Sequence, residues 1–189
     1  MTEFNYTTKQ KNFRRNVLIV VTGLYFLLLM WAIVFKCNNI ESLHIEQNRS
    51  RSIIERLMLN SIPFKHTIES VLAGSPLETL ATIFNVIGFM PMTMLFRYLK
   101  MGKLQSWLIA AGVSLGVEIF QLFSCWGGWD ISDWILNVFG AYLGLVAFGV
   151  FSKLSYKAQY IIIVGCGIVV LPVDIFAIVN TITHFPPLS

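Results

Sequence analysis

The chain has 189 residues, of which 56% are hydrophobic and 13% are charged, and its formal net charge is +4. Soluble domains carry about 25% charged residues, so this composition excludes an ordinary soluble domain and predicts an integral membrane protein. The basic residues fall between apolar runs and form no continuous patch, so they indicate membrane topology, and we expect no nucleic-acid partner.

Five apolar stretches are long enough to cross a hydrocarbon core about 30 Å thick, which takes roughly 20 residues. Along the chain they run over Val17 to Phe35, Leu80 to Phe96, Leu104 to Phe123, Ile131 to Phe151, and Tyr160 to Val179. We therefore expect an all-α polytopic membrane protein, a small bundle of about five transmembrane helices. No small-residue cleavage site follows the first stretch, which predicts a retained anchor helix and not a signal peptide.

The positions of lysine and arginine predict the orientation, because short basic loops remain in the cytoplasm. Of the 14 basic residues, nine fall in one set of loops and five in the other. This asymmetry predicts a cytoplasmic N-terminus and an extracellular C-terminus in the cell membrane. The expected segments are a cytoplasmic tail over 1–16, an anchor helix over 17–35, an extracellular connection over 36–79, a core of three transmembrane helices over 80–151, and a fifth helix with the extracellular C-terminus over 152–189.

The extracellular connection is too short to bury a hydrophobic core of its own. Apolar residues recur in it at helical spacing among charged ones, namely Ile53, Ile54, Leu57, Met58 and Ile62. This pattern predicts a helix lying on the outer bilayer surface or, equally, a loop helix packed on the end of the bundle. Pro63 should end that helix, because the residue before a proline avoids the helical region.

The chain contains no nucleotide-binding glycine loop and no metal-ligand pattern of cysteine and histidine, so we expect neither a cofactor nor a metal. Its three cysteines are scattered. Cys37 and Cys125 would both lie outside the membrane, where a disulfide is geometrically possible, and their spacing alone does not decide whether they pair.

Polar residues interrupt the second, third and fourth apolar stretches and form the candidate site. An ionisable group at mid-membrane costs roughly 2.5 to 3.5 kcal/mol on insertion scales, so several of them kept together indicate a function. Steps of three and four residues place the polar groups of each stretch on one helix face. The candidate ligand-binding residues are Asn85, Glu118, Gln121, Asp130, Asp133 and Asn137, and the candidate helix-packing residues are Gly88, Ser114, Gly140 and Gly144.

The candidate residues lie at similar depths along their helices. At a rise of about 1.5 Å per residue, Glu118 and Asn85 lie about 7 Å from the outer ends of their helices, and Asn137 about 9 Å. We therefore expect a polar pocket in the outer third of the membrane, in which Glu118 and Gln121 face Asp133 and Asn137. The tryptophans expected to cover this pocket are Trp126 and Trp129.

Each of these residues also has a purely structural interpretation. An aspartate at a helix start, such as Asp130 or Asp133, is usually an N-cap, and an asparagine such as Asn85 or Asn137 usually joins helices. Glu118 favours a functional role, because neither capping nor snorkelling serves a glutamate at that depth. Catalytic residues are not assigned at this point, and Glu118, Asp130 and Asp133 are the candidates.

The order and spacing of these residues resemble the VanZ-like membrane proteins over roughly Asn60 to Phe151. The matching pieces are Asn60-x-x-Pro63-Phe64, Asn85 with Phe89 and Pro91, Ser114-x-x-x-Glu118-x-x-Gln121, and Asp130-x-x-Asp133-x-x-x-Asn137-x-x-Gly140-x-x-x-Gly144. The resemblance implies a small multi-pass helical protein of the Gram-positive cell envelope, linked to low-level resistance to the glycopeptide antibiotic teicoplanin. That family often has a basic residue just before the first aspartate, where this chain has Gly127, Gly128 and Trp129, so its pocket should be more negative than in relatives.

Two kinds of function fit the sequence best. In the leading hypothesis, the outer-leaflet pocket binds the amphiphilic part of a lipid-linked wall precursor or of a lipoglycopeptide, with Glu118 and Asp133 contacting its polar groups. In the alternative, an intramembrane enzyme modifies an envelope lipid, with Glu118 as general base and Asp130 or Asp133 as acid or metal ligand. A structural role, docking onto another membrane protein, stays open. A transporter is disfavoured because no inverted repeat and no continuous polar path are visible. Membrane lipids are expected partners in every case.

Overall fold

The computed structural model describes residues 8–34, 49–74, 76–125, 128–155, 157–165, 168, 171, 175 and 179. Packing of the backbone divides the chain into two units, one made of Met1–Ala32 with Leu154–Ser189 and the other of Ile33–Lys153. Within the described ranges the residues form helices and their connecting turns, without a strand among them. The expected all-α fold is therefore confirmed.

The first unit contains most of helix α1, Thr8–Val34. The apolar stretch predicted from Val17 is helical, and the helix begins earlier because the preceding lysine, glutamine and arginine residues are good helix formers. Residues 157–165 are also helical, as are the described positions 168, 171, 175 and 179. These positions agree with the last predicted helix.

The second unit begins with two short helices, α2 (Ile53–Leu59) and α3 (Lys65–Leu72). A capping box starts α2, in which Ser52 and Glu55 bond to each other's backbone N–H groups. The break predicted at Pro63 is confirmed, because a turn over residues 60–64 separates α2 from α3. Helix α3 was not predicted, since its mixture of charged and apolar residues spans only two turns.

Three long helices follow, α4 (Pro76–Tyr98), α5 (Lys103–Ser124) and α6 (Ile131–Phe151). Their bounds lie within a few residues of the predicted core helices. Among the residues that the structure describes, α5 and α6 are long and apolar enough to cross a membrane. The predicted crossings are thus supported at these two helices.

Helices α4 and α6 pack backbone against backbone at two glycines of α6. A Cβ at Gly140 would lie 2.8 Å from the carbonyl carbon of Val86, and one at Gly144 would lie 3.0 Å from that of Met90. The predicted small-xxx-small pair therefore packs against α4. The hydroxyl of Thr93 crosses the same contact and donates to the backbone oxygen of Ala141 at 2.8 Å.

Two tryptophans join α5 to α6. The indole N–H of Trp107 donates to the backbone oxygen of Val138 at 3.1 Å, and that of Trp134 donates to Ala111 at 3.2 Å. Each helix thus contributes one indole to the backbone of the other. Because α6 contacts both α4 and α5, it lies at the centre of the long helices and fixes the positions of the polar side chains.

Candidate functional site

The polar stripe of α5 faces the interior of the second unit. Ser114 is fully buried, and Glu118 and Gln121 are each 1% exposed. Their spacing of four and three residues puts them on one face, as predicted. The apolar helix α5 thus buries a carboxyl group and an amide near its C-terminal end.

Glu118 contacts the start of α6. Its Oε2 accepts a hydrogen bond from the backbone N–H of Asp130 at 3.0 Å, and Asp130 itself is 8% exposed. Asp130 is the N-cap of α6, and its Oδ1 accepts from the backbone N–H of Ser132 at 2.7 Å. Two carboxyl groups therefore lie at the N-terminal, positive end of the α6 dipole.

Asp133 contacts α4. Its Oδ1 accepts a hydrogen bond from the side-chain amide of Asn85 at 2.6 Å. This hydrogen bond joins two of the candidate residues, one on α4 and one on α6, and the expectation that Asp133 faces Glu118 stays a prediction. The start of α6 thus contacts α5 through the backbone of Asp130 and α4 through the side chain of Asp133.

Asn137 is 1% exposed and joins α6 to α5. Its side-chain amide donates to the hydroxyl of Ser114 at 2.9 Å. Within the described part of the chain its Oδ1 has no hydrogen-bond partner. This contact agrees with the structural interpretation of Asn137 as a link between helices. It also makes Asn137 the hydrogen-bond partner of Ser114.

The turn between α2 and α3 is bonded to the start of α6. Asn60 donates from its side chain to the backbone oxygen of Trp129 at 3.1 Å and accepts from the backbone N–H of Ile131 at 3.4 Å. The backbone N–H of Phe64 donates to the hydroxyl of Ser132 at 2.9 Å. Phe64 has φ 61°, a left-handed conformation that a bulky residue rarely adopts. These contacts give a structural role to the Asn60-x-x-Pro63-Phe64 motif, and Ser132 was missed because its spacing matched no polar stripe.

The contacts of Arg56 were also not predicted from the sequence. This half-buried side chain of α2 donates from Nη1 to the sulfur of Cys125, at the end of α5. It lines a cleft of about 20 Å³ that lies between α2, α5 and the segment before α6. The residues lining the cleft are Arg56, Leu59, Asn60, Gln121, Leu122, Gly128 and Trp129.

Two features of the cleft bear on the predicted pocket. Arg56 brings a permanent positive charge to Gly128 and Trp129, the residues just before Asp130. Pockets that enclose whole drug-sized ligands measure roughly 300 to 1,000 Å³. A cleft of about 20 Å³ has room for one water-sized group, so it fits one polar group of a larger molecule.

The remaining predictions concern the cysteines, Trp126, Gly88 and metal binding. Cys125 is a free thiol, and Cys37 and Trp126 lie outside the described residues. Gly88 is half-buried on α4. In the described ranges, no three His, Cys, Asp or Glu side chains come close enough together to hold a metal ion.

The sequence of the chain is similar to those of known proteins. A model of the VanZ/LLP1 family matches residues 22–152, which include Arg56 and every residue of the polar contacts. The chain belongs to this family. Protein VanZ of Enterococcus faecium is 32% identical over 153 residues, covering 79% of this chain and 84% of that protein. No solved structure matches the chain. The VanZ/LLP1 match extends further towards the N-terminus than the motifs do and takes in much of α1.

Proposed function

We propose that this VanZ/LLP1 protein lowers susceptibility to teicoplanin by binding the amphiphilic part of a lipid-linked wall precursor or of the lipoglycopeptide itself. The similarity to Protein VanZ supports the link to resistance. One observation supports the binding role, namely the cleft that Arg56 and Trp129 line together with Gln121, which shares a face of α5 with the buried Glu118. A buried carboxyl group and a permanent cation at the end of an apolar helix suit an amphiphilic ligand, because the apolar surface around them takes its tail.

The proposal includes a topology of five membrane crossings with the N-terminus in the cytoplasm. In this orientation the end of α5 and the start of α6 reach the outer leaflet, where both wall precursors and the antibiotic are found. The basic residues Arg97, Lys100 and Lys103 then lie on the cytoplasmic side, as the positive-inside rule requires. The site would therefore meet its ligand without carrying it across the membrane.

The contacts favour a binding protein over an intramembrane enzyme. Ser114 bonds to Asn137, and Asp130 caps α6. Asp133 bonds to Asn85. A general base or nucleophile needs a side chain directed at the reacting group, whereas these groups are directed at helix contacts.

Antibiotic susceptibility of expressing cells tests the proposal. The cells would carry the wild type, Glu118→Gln or Asp133→Asn at matched membrane levels, with Glu69→Gln as a control that makes the same change at an exposed position. We expect the wild type and the control to raise the inhibitory concentration of teicoplanin, which carries an acyl chain, more than that of vancomycin. Glu118→Gln and Asp133→Asn alter the contacts that position α5 and α6 around the cleft, so both variants should lose part of this protection. Equal protection against both drugs, or no protection by any variant, would contradict the proposal.

A further inference from the structure

Two buried hydrogen-bond donors in the cleft have no acceptor within the described part of the chain. They are Nε of Arg56 and Nε1 of Trp129. Both side chains line the same cleft, together with Asn60 and Gln121. A buried N–H without a partner is destabilising, and native proteins normally pair it with protein, water or a ligand.

Neighbouring groups position the two residues that carry these donors. Asn60 uses its side-chain amide to hold the backbone oxygen of Trp129 at 3.1 Å, which anchors the backbone at the indole. Arg56 uses Nη1 on the sulfur of Cys125, which fixes one side of the guanidinium. Both residues are thus held in place by other contacts. Binding of an acceptor would therefore cost little free energy for ordering the protein.

The charge of Arg56 selects the kind of acceptor. A guanidinium is protonated at every physiological pH and presents its N–H groups in a planar fork that matches carboxylate and phosphate oxygens. Such charge-assisted hydrogen bonds are roughly twice as strong as those between neutral groups. We propose that the cleft between Arg56 and Trp129 binds an oxyanion, the phosphate or carboxylate group of an amphiphilic ligand. This inference rests on the proposed binding function and adds the chemical class of the group that is bound.

The surroundings of the cleft support an amphiphile as the source of the oxyanion. The cleft has room for one water-sized group, so an oxygen enters and the rest of the ligand remains outside. Leu59 lines the cleft and is 58% exposed, while Ile54 and Met58 of the same helix are each 68% exposed. Apolar surface therefore continues outward from the donors, and an acyl chain would lie against it.

Protection of Cys125 from alkylation tests this inference, since Cys125 bonds to Arg56 and is half-exposed. The full chain, with Cys37→Ser and Cys166→Ser, would be purified in a maltoside detergent that lacks phosphate. The rate of Cys125 alkylation would be measured after adding dioleoyl-phosphatidylglycerol, with dioleoylglycerol as the phosphate-free control. In a separate comparison, inorganic phosphate would be added, with chloride at equal ionic strength as its control. Arg56→Gln removes the charge, Trp129→Phe removes only the indole N–H, and Arg49→Gln is the matched control at an exposed arginine.

Phosphatidylglycerol at about ten times its Kd should slow alkylation about tenfold in the parent protein and in Arg49→Gln. Arg56→Gln should lose the protection, and Trp129→Phe should need more lipid for the same effect. Protection by phosphate alone supports the oxyanion site and identifies free phosphate as its source. Equal protection by dioleoylglycerol, or full protection of both Arg56→Gln and Trp129→Phe, would overturn the inference. Lipid protection without teicoplanin protection in cells would instead retain the oxyanion site and reject the proposed resistance function.

Discussion

At the scale of single residues, Glu118 combines a buried carboxyl group with a structural contact. Its Oε2 accepts from the backbone of Asp130, so mutation can remove the ionisable group and keep an acceptor. Glu118→Gln keeps an acceptor oxygen, and we expect little change in stability. Glu118→Leu leaves the buried N–H of Asp130 without this acceptor and should destabilise the fold by about 1 to 3 kcal/mol.

Unfolding in mixed detergent micelles, followed by tryptophan fluorescence, measures both variants. A loss of antibiotic protection by Glu118→Gln at unchanged stability would assign the loss to charge and not to folding. If Glu118→Gln were as unstable as Glu118→Leu, the separation of charge and contact would be wrong.

At the scale of helices, the contact of α4 with α6 depends on the absence of a side chain at one position. A Cβ at Gly140 would lie 2.8 Å from the backbone carbonyl carbon of Val86, closer than real Cβ atoms come. Gly140→Ala should therefore push the helices apart and destabilise the unit by about 1 to 3 kcal/mol. Gly149→Ala on the same helix is the matched control, because a Cβ there meets nothing within 4 Å. The same unfolding measurement applies, and equal stability of the two variants would contradict the close packing.

Helix α2 should respond to acid. Hydrogen bonds from the backbone N–H and then the hydroxyl of Ser52 lower the pKa of Glu55 below its usual value of 4.5. A carboxylate with a lowered folded pKa stabilises above its unfolded pKa and loses that contribution as the pH falls through the folded value. The start of α2 should therefore fray as the pH falls below 4.5.

Hydrogen exchange of the amides at residues 53–56 measures this fraying. Glu55→Gln is the control, because it cannot titrate and should show no such pH dependence. If exchange at these amides were equally pH-dependent in the wild type and in Glu55→Gln, after correction for intrinsic exchange, the capping box would not be the cause.

At the scale of the whole molecule, the proposed topology makes a direct prediction. Reporter fusions should show a fluorescent protein folded in the cytoplasm at the N-terminus and an active phosphatase outside the cell at the C-terminus. Fusions after Lys100 and after Gly128 should report the cytoplasm and the outside, respectively, since α5 separates them. The same compartment for both internal fusions would contradict a crossing by α5.

The sequence was sufficient to predict the long helices and the faces of their polar stripes. The length of an apolar stretch and its helical periodicity are properties of a single segment. They were enough to predict the burial of Glu118 and Asn137. Pairing between segments depends on how far one helix is shifted and rotated against another, which periodicity does not encode. The hydrogen bond of Glu118 with the backbone N–H of Asp130 was accordingly not predicted. The contacts of Arg56 were not predicted for the same reason, since the path of the connecting segment determines them.

The division of the chain into two units also has an evolutionary consequence. The polar contacts and the cleft involve residues between Arg56 and Ala141, all inside the unit Ile33–Lys153. Substitutions there must be accommodated by partners on other helices, whereas residues 1–32 and 154–189 carry none of these contacts in their described part. Sequence variation among VanZ/LLP1 proteins should therefore be concentrated in the first and last segments. The lengths and compositions of these two segments should differ between hosts whose membranes differ. Changes at Arg56, Asn60 and Trp129, in contrast, should occur together.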